Sequence, residues 1–218
     1  VADLKLFHDR IKSGDLASVR AMLAADRSLL DERNESGQAA FLLASYYQQA
    51  EIAGYLLTLN PHLDVYLATV AGRVDEMLTA LDKDSSLLES HSSDGWTPLH
   101  LAAFFGRQEA AVALLARGAN VDARSTNHMR NTPLHAAAAG RRLPLVKLLL
   151  ENGANVNATQ SGGWTALHGA AQSGDRALVE LLLAHQALVH PRAENGQTAL
   201  DLALLKGHQE IAELLGEL

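Results

Sequence analysis

Apolar residues along this chain come in paired short runs rather than in long ones. Leu99 with Ala102-Ala103 is followed by Leu114-Leu115, and polar or glycine-bearing stretches stand between and after them. The first run opens on Thr97-Pro98-Leu99-His100. A threonine hydroxyl can cap a helix, and proline suits the first helical position because its missing N–H would be unpaired there anyway. His100 falls three residues after that cap, within reach of the same turn, where Glu or Gln usually closes a capping box. Ala102-Ala103 keep the helix thin enough for a neighbour to pack closely. Gly106 can end it, Leu114-Leu115 supply the apolar stripe of a second helix, and Gly118 supplies a left-handed stop. Ala119-Asn120-Val121-Asp122 then leads through a turn to the next motif.

The opening tetrapeptide returns as Thr132-Pro133-Leu134-His135, Thr165-Ala166-Leu167-His168 and Thr198-Ala199-Leu200-Asp201, at steps of 35, 33 and 33 residues. A fixed period near 33 predicts a stack of units in which each contacts its neighbours. In the last copy Asp201 takes the histidine's place, and a carboxylate suits a helix N-terminus. The full match runs Asp94-Gly95-x-Thr97-Pro98-Leu99-His100-x-Ala102-Ala103-x-x-Gly106 and closes with Leu114-Leu115-x-x-Gly118-Ala119-Asn120-Val121. Asn131 to Asn157, Gly163 to Ala187 and Gly196 to Leu215 follow the same pattern.

These residues resemble the ankyrin repeat, a β-turn followed by two antiparallel helices. Degenerate copies extend the resemblance upstream: Gly37 to Ser45, with Leu42 in the histidine's place; Leu6-Phe7-His8 through Gly14-Asp15; and Asp64 to Ala68 through Gly72-Arg73. It therefore covers essentially the whole chain. The expected fold is a single all-α ankyrin-repeat solenoid with short β-turn hairpins, in units of about 3–35, 36–62, 63–93, 94–126, 127–160, 161–193 and 194–218. The end units are expected to act as caps.

Three departures from the pattern matter. Leu42 to Tyr66 spans only 24 residues, so the hairpin between the second and third units should be missing, with Asn60-Pro61 as a tight link that bends the stack. The hairpin before the fifth unit is two residues longer, and Arg130 stands where the turn glycine belongs. Gly140 sits one place early, before Arg141-Arg142, so that inter-helix loop should differ from its neighbours.

A 48% hydrophobic content suffices for a core, and there is no cysteine for disulfides or thiolate chemistry. No apolar run approaches a membrane span, and no secretory signal opens the sequence. The expectation is a cytoplasmic, monomeric protein that needs no membrane and no cofactor. The net charge of −7 comes from residues 1–109, while residues 110–218 are balanced. An acidic chain is a poor general nucleic-acid binder, because non-specific affinity rests on many phosphate contacts. From Arg117 to Lys147, however, Arg117, Arg124, Arg130, Arg141, Arg142 and Lys147 face Asp122 alone. Such an island favours a protein partner with an acidic patch.

The ten histidines invite a metal or catalytic reading. His8, His100, His135 and His168 fall in the capping slot and read as structural, and His128 sits in the enlarged hairpin beside Met129. None of the others forms a metal-binding spacing, and a zinc site without cysteine is not expected. Ser161-Gly162-Gly163 is a repeat turn rather than a phosphate loop. Spacing does not exclude a Ser/His/Asp triad, but no serine has a nucleophile-elbow context, so no enzyme is expected.

The aromatics fall at places that the template leaves variable. Tyr46-Tyr47 and Phe104-Phe105 stand four and five residues after Leu42 and His100, where the ankyrin resemblance implies the concave groove. Trp96 and Trp164 precede the motif threonine, on the same side. Large aromatics in a shallow groove read as interface anchors. The expected function is a non-enzymatic protein-interaction module. Its partner site would comprise Trp96, Phe104, Phe105, Tyr46, Tyr47 and Trp164, with Arg124, Met129 and Arg130 beside them. A ligand or metabolite sensor with a pocket at the Asn60-Pro61 bend, and a self-associating structural protein, remain as alternatives.

Overall fold

A computed structural model describes residues 4–217. Its α-helices pair into helical hairpins: α1 (Leu4–Lys12) with α2 (Leu16–Ala25), α3 (Ala40–Tyr46) with α4 (Ala50–Thr58), and α5 (Val65–Ala71) with α6 (Val74–Lys83). Then come α7 (Pro98–Phe105) with α8 (Gln108–Ala116), α9 (Pro133–Ala139) with α10 (Leu143–Glu151), α11 (Ala166–Ser173) with α12 (Arg176–Ala184), and α13 (Ala199–Lys206) with α14 (Gln209–Gly216). Odd-numbered helices stack on one another and even-numbered helices form a second layer beside them. This is the all-helical ankyrin solenoid that the repeat predicts. The seven hairpins are called units one to seven below.

Most first helices end the same way. Six residues after the histidine slot, Gly14, Gly72, Gly106, Gly174 and Gly207 turn the chain at φ between +71° and +77°. Units two and five place Gln48 (φ +56°) and Arg141 (φ +54°) there instead. In unit five the cause is visible. A Cβ on Gly140 would lie 2.4 Å from the Phe104 carbonyl oxygen, so glycine is held at 140 by close backbone approach and the left-handed turn falls to Arg141.

The motif histidines do more than cap. In unit four the Thr97 hydroxyl lies 2.8 Å from His100 Nδ1, and His100 Nε2 donates to the carbonyl of Asn131 in unit five at 3.0 Å. His135 repeats this toward Trp164 at 3.2 Å, and His168 toward Gln197 at 3.3 Å. Each ring ties its own cap to the next unit, which needs a neutral imidazole carrying its proton on Nε2. Burial drives the pKa of both His100 and His135 down to about 4. His8 differs from expectation. It lies inside α1 rather than at an N-terminal cap, buried, with Nε2 lacking a hydrogen-bond partner among the described residues. The helix is already formed at Leu4, and Lys5, in the threonine's place, sits within it.

A second ladder joins the units at the inter-helix loops. Gln49 Nε2 donates to the Lys12 carbonyl (3.1 Å), Arg107 Nε to Val70 (2.6 Å), Arg142 Nε to Phe104 (3.1 Å) and His208 Nε2 to Gln172 (3.1 Å). In each case a residue seven places after the slot reaches the carbonyl four places after the slot in the preceding unit. Side chains at this register join units through hydrogen bonds as well as through apolar packing.

Between α4 and α5 the hairpin is missing, as the short spacing predicts, and Asn60 turns the link at φ +49°. Units one and three instead end in short 3-10 turns, Arg27–Leu30 and Ser85–Leu88. These are capped by Asp26 on the Ser28 N–H and Asp84 on the Ser86 N–H, each at 3.0 Å. With no hairpin from unit three in the way, the hairpin of unit two meets that of unit four directly. Gln38 Nε2 donates to Asp94 Oδ1 at 2.9 Å across that junction.

Candidate functional site

The residue just before the motif threonine differs from unit to unit. Its occupants are Gln38 in unit two, Trp96 in unit four, Asn131 in unit five, Trp164 in unit six and Gln197 in unit seven. A short asparagine therefore stands between two tryptophans. The place four residues after the slot varies in the same sense, from Phe104 in unit four to Ala139 in unit five and Gln172 in unit six. The small residues of unit five leave a hollow of about 350 Å³. Trp96, Phe104, Met129 and Trp164 wall it, and Ala138, Ala139 and Gly169 floor it. Four of the aromatic and Met positions expected from sequence thus line one cavity.

The other expected anchors are placed differently. Tyr46, Trp96, Phe104 and Phe105 pack on one another: Tyr46 lies 5.1 Å from Phe105, 6.0 Å from Phe104 and 6.4 Å from Trp96 between ring centroids. Trp96 and Phe104 meet edge-on at 5.1 Å. Tyr46 belongs to unit two, so this cluster bridges over unit three, whose corresponding places hold only Val70 and Ala71. Its hydroxyl donates to Asp94 Oδ2 at 3.1 Å, and burial with the nearby Asp94 charge raises its pKa far above the usual range for a phenol. Tyr46, Phe104 and Phe105 are half-buried, and the cluster is a seam between units two and four. Tyr47 stands apart, half exposed, with Lys12 Nζ 5.9 Å from its ring centroid. Trp164 meets only the ring of its own capping histidine, His168, at 5.8 Å.

The basic island is engaged unevenly. Arg117 pairs with Asp82 at 2.8 Å, away from the hollow. Arg124 is exposed, yet its guanidinium donates to the carbonyls of Arg130 and Thr159 and so stiffens the enlarged hairpin. Arg130 holds the left-handed turn position, at φ +48°, with its side chain exposed. Arg141 lines the hollow and donates to the Ser173 carbonyl at 3.1 Å.

Sequence reasoning missed two residues here, Asn131 and Asp94. Asn131 was passed over as a plain hairpin residue. It is 94% buried, and its Oδ1 has no hydrogen-bond partner among the described residues. Trp96 Nε1 is likewise buried and unpartnered. Asp94 was seen only as a turn residue, although it accepts from Gln38 and Tyr46 together. The signal for Asn131 was available in the alternation Trp96, Asn131, Trp164 at one repeat position.

Another hollow, of about 490 Å³, lies beside the Asn60-Pro61 link and is lined by His62, Tyr66, Asp75 and Glu76 among others. It is wide open to solvent. No group of three or more His, Cys, Asp or Glu side chains among the described residues is placed to hold a metal ion. No helix among them is long and apolar enough to cross a membrane.

Comparison with known proteins agrees with the repeat geometry. A family model for ankyrin repeats matches residues 65–160 and 158–218. A putative ankyrin repeat protein of Rickettsia felis is 29% identical over 125 residues, covering 53% of this chain and 41% of that protein. Protein phosphatase 1 regulatory subunit 27 of Mus musculus is 30% identical over 118 residues, covering 54% of this chain and 60% of that protein. The matched part spans about half the length of these curated relatives.

Proposed function

The chain belongs to the ankyrin-repeat family, and from that premise we propose that it is a non-enzymatic module that binds a protein partner in its concave groove. The observation that carries the reading is the hollow between Trp96 and Trp164. Aromatic side chains are left partly solvent-exposed there on a rigid support, the composition typical of interaction hot spots. A preformed groove lowers the ordering cost of association. That one relative is named as a regulatory subunit of a phosphatase supports a binding role over a catalytic one. Phe104, backed by Tyr46 and Phe105, would contact the partner together with Trp164 and Met129, and the exposed Arg130 with Arg124 would steer an acidic one. Tyr47 would extend the contact toward unit one. A cytoplasmic location belongs to the same reading.

Trp164→Ala tests it most cleanly, because that ring packs little against the fold. Capture of protein partners from native lysate by the wild type, with at least a tenfold loss in Trp164→Ala and unchanged cooperative melting, is the expected result. Equal capture by both proteins would place the interface elsewhere.

A second reading, self-association, has its own observation. Leu188, Leu204 and Leu205 are 55–67% exposed around the last unit. A solution mass above that of one chain, returning to one chain in Leu204→Ser with Leu205→Ser, would favour it.

A further inference from the structure

We propose that the hollow between Trp96 and Trp164 receives one large apolar side chain from an extended, acidic peptide segment of a protein partner. This rests on the groove-binding reading and adds the chemistry of the occupant. The shape comes first. Units four and six each put a tryptophan at the position before the motif threonine, while unit five puts Asn131 there and Ala139 where unit four has Phe104. An incoming aliphatic or aromatic side chain fills the space that a third large residue would have taken. At about 350 Å³, the cavity is at the small end of ligand-sized pockets, suited to one side chain rather than to a folded element.

Polarity gives the second constraint. The Asn131 main chain is fully committed, its N–H to Ser125 Oγ and its carbonyl to the Ser125 N–H and His100 Nε2. The residue is 94% buried, and its Oδ1 is shielded from solvent with no partner among the described residues. Asn131 is thereby fixed in place as a small residue of the lining, which keeps the hollow open between the two tryptophans. From Trp96 to Trp164 is two inter-helix steps, roughly 16–20 Å, a length of about five or six extended residues.

Charge decides the sign of the segment. None of the residues lining the hollow is acidic, and Arg141 is among them. Exposed Arg124 and Arg130 lie in the adjoining hairpin. Two nearby hairpin carboxylates are occupied: Asp94 by Gln38 and Tyr46, Asp122 by the Asn155 N–H. A basic segment would meet unpaired positive charge, whereas an acidic one is attracted and held in register.

The test is selection from a random twelve-residue peptide display library on the intact protein, followed by affinity measurement on the best synthetic peptide. Enriched peptides should carry one large apolar residue with Asp or Glu within three positions, and no excess of Lys or Arg. Two variants fill the hollow without touching its walls. Gly169→Leu adds a side chain where a Cβ meets nothing within 4 Å, and Ala139→Phe copies the residue of unit four at an exposed place. Each should weaken the peptide at least tenfold while leaving the melting transition in place. Arg141→Glu should weaken it similarly and be compensated by a Glu→Lys change in the peptide. Basic or purely polar selected peptides would overturn the inference, as would full affinity in Gly169→Leu and Ala139→Phe. Selection of no peptide by a wild type that still captures a folded protein would also overturn it, and so would a wild-type dimer that Gly169→Leu dissociates. Failure of the wild type to capture peptide and protein alike would instead remove the broader groove-binding reading.

Discussion

Units one and two build the same helical pair as units four to seven, but they are fastened by different means. In units four to six a buried imidazole links each cap to the next hairpin, and the family match covers this whole stretch. In units one and two the slot holds an unpartnered His8 and an apolar Leu42, and no such link exists. The two ends also have separate buried clusters. One runs from Phe7 to Leu56 and reaches Leu67, Val70 and Leu101, and the other runs from Val65 to Leu215. Helix α5 serves both, offering Leu67 and Val70 to one and Val65 and Ala68 to the other. The Tyr46–Trp96–Phe104–Phe105 cluster lies over this junction. A repeat can thus be degenerate in motif while keeping its stack, provided that packing and a few side-chain clamps replace the lost ladder.

The largest break in this comparison is expected from acid. His100 and His135 titrate near 4 in the folded protein against an unfolded value near 6.5, mainly because burial disfavours the charged ring. The unfolded chain therefore binds protons first. Stability from the neutral rings is complete above pH 6.5 and is lost as pH falls toward 4, by on the order of 3 kcal/mol per ring. In unit seven Asp201 fills the slot, and its hydrogen bonds from Thr198 hold its pKa below the usual carboxylate value. That lock keeps its charge through the window in which the histidine locks fail. Amide hydrogen exchange at pH 7 and pH 4.5 should show protection falling most in α7 and α9. Uniform loss across the chain would mean that the histidine ladder is not what distinguishes the two regions.

One residue type at one slot sharpens the point. His100→Leu removes one of the two donors to the Asn131 carbonyl and the ring partner of the Thr97 cap, and should cost about 1–3 kcal/mol. His8→Leu removes a buried nitrogen that has no partner and should fall within about 1 kcal/mol of neutral, on the stabilising side. Urea unfolding of the two variants checks both. Similar losses would show that His8 holds a structural role comparable to that of His100.

Much of this was legible in the sequence. The period, the caps, the missing hairpin and the irregular turns at Arg130 and Arg141 all follow from local chemistry at fixed spacing. The division of labour among the aromatics was not, because it depends on contacts across units. Tyr46 reaches unit four only because unit three lacks a hairpin and carries small side chains at the intervening places. Arg141 and Arg142 read as part of the basic island, yet both reach main-chain carbonyls of neighbouring units.

Trp96 and Trp164 show the same limit, being equivalent in the template and different in the fold. Trp96 is wedged among Tyr46, Phe104 and His100, whereas Trp164 touches only His168 among the rings. Full burial would make a Trp→Ala change cost 3–5 kcal/mol, so a half-buried Trp96 should lose about 2 kcal/mol and Trp164 about 1 kcal/mol or less. Thermal melting separates them. A larger loss at Trp164 than at Trp96 would mean that the seam between units two and four contributes little.

The smallest effect concerns backbone rather than side chains. Units one, three, four, six and seven close their first helix on a left-handed glycine, but unit two uses Gln48 at φ +56°. A side chain in that conformation brings Cβ close to the following carbonyl, a cost of roughly 1 kcal/mol that glycine does not bear. The loss of chain entropy on fixing a glycine offsets part of the gain. Gln48→Gly should therefore stabilise by about 0.5 kcal/mol. Arg141→Gly has the same backbone benefit but loses the bond to the Ser173 carbonyl, so it should gain nothing or become slightly less stable. The sign of the difference between these two variants is the measurement that matters, read from paired urea midpoints. If Arg141→Gly proved the more stable, the Arg141 contact with the Ser173 carbonyl would contribute nothing to the joint between units five and six.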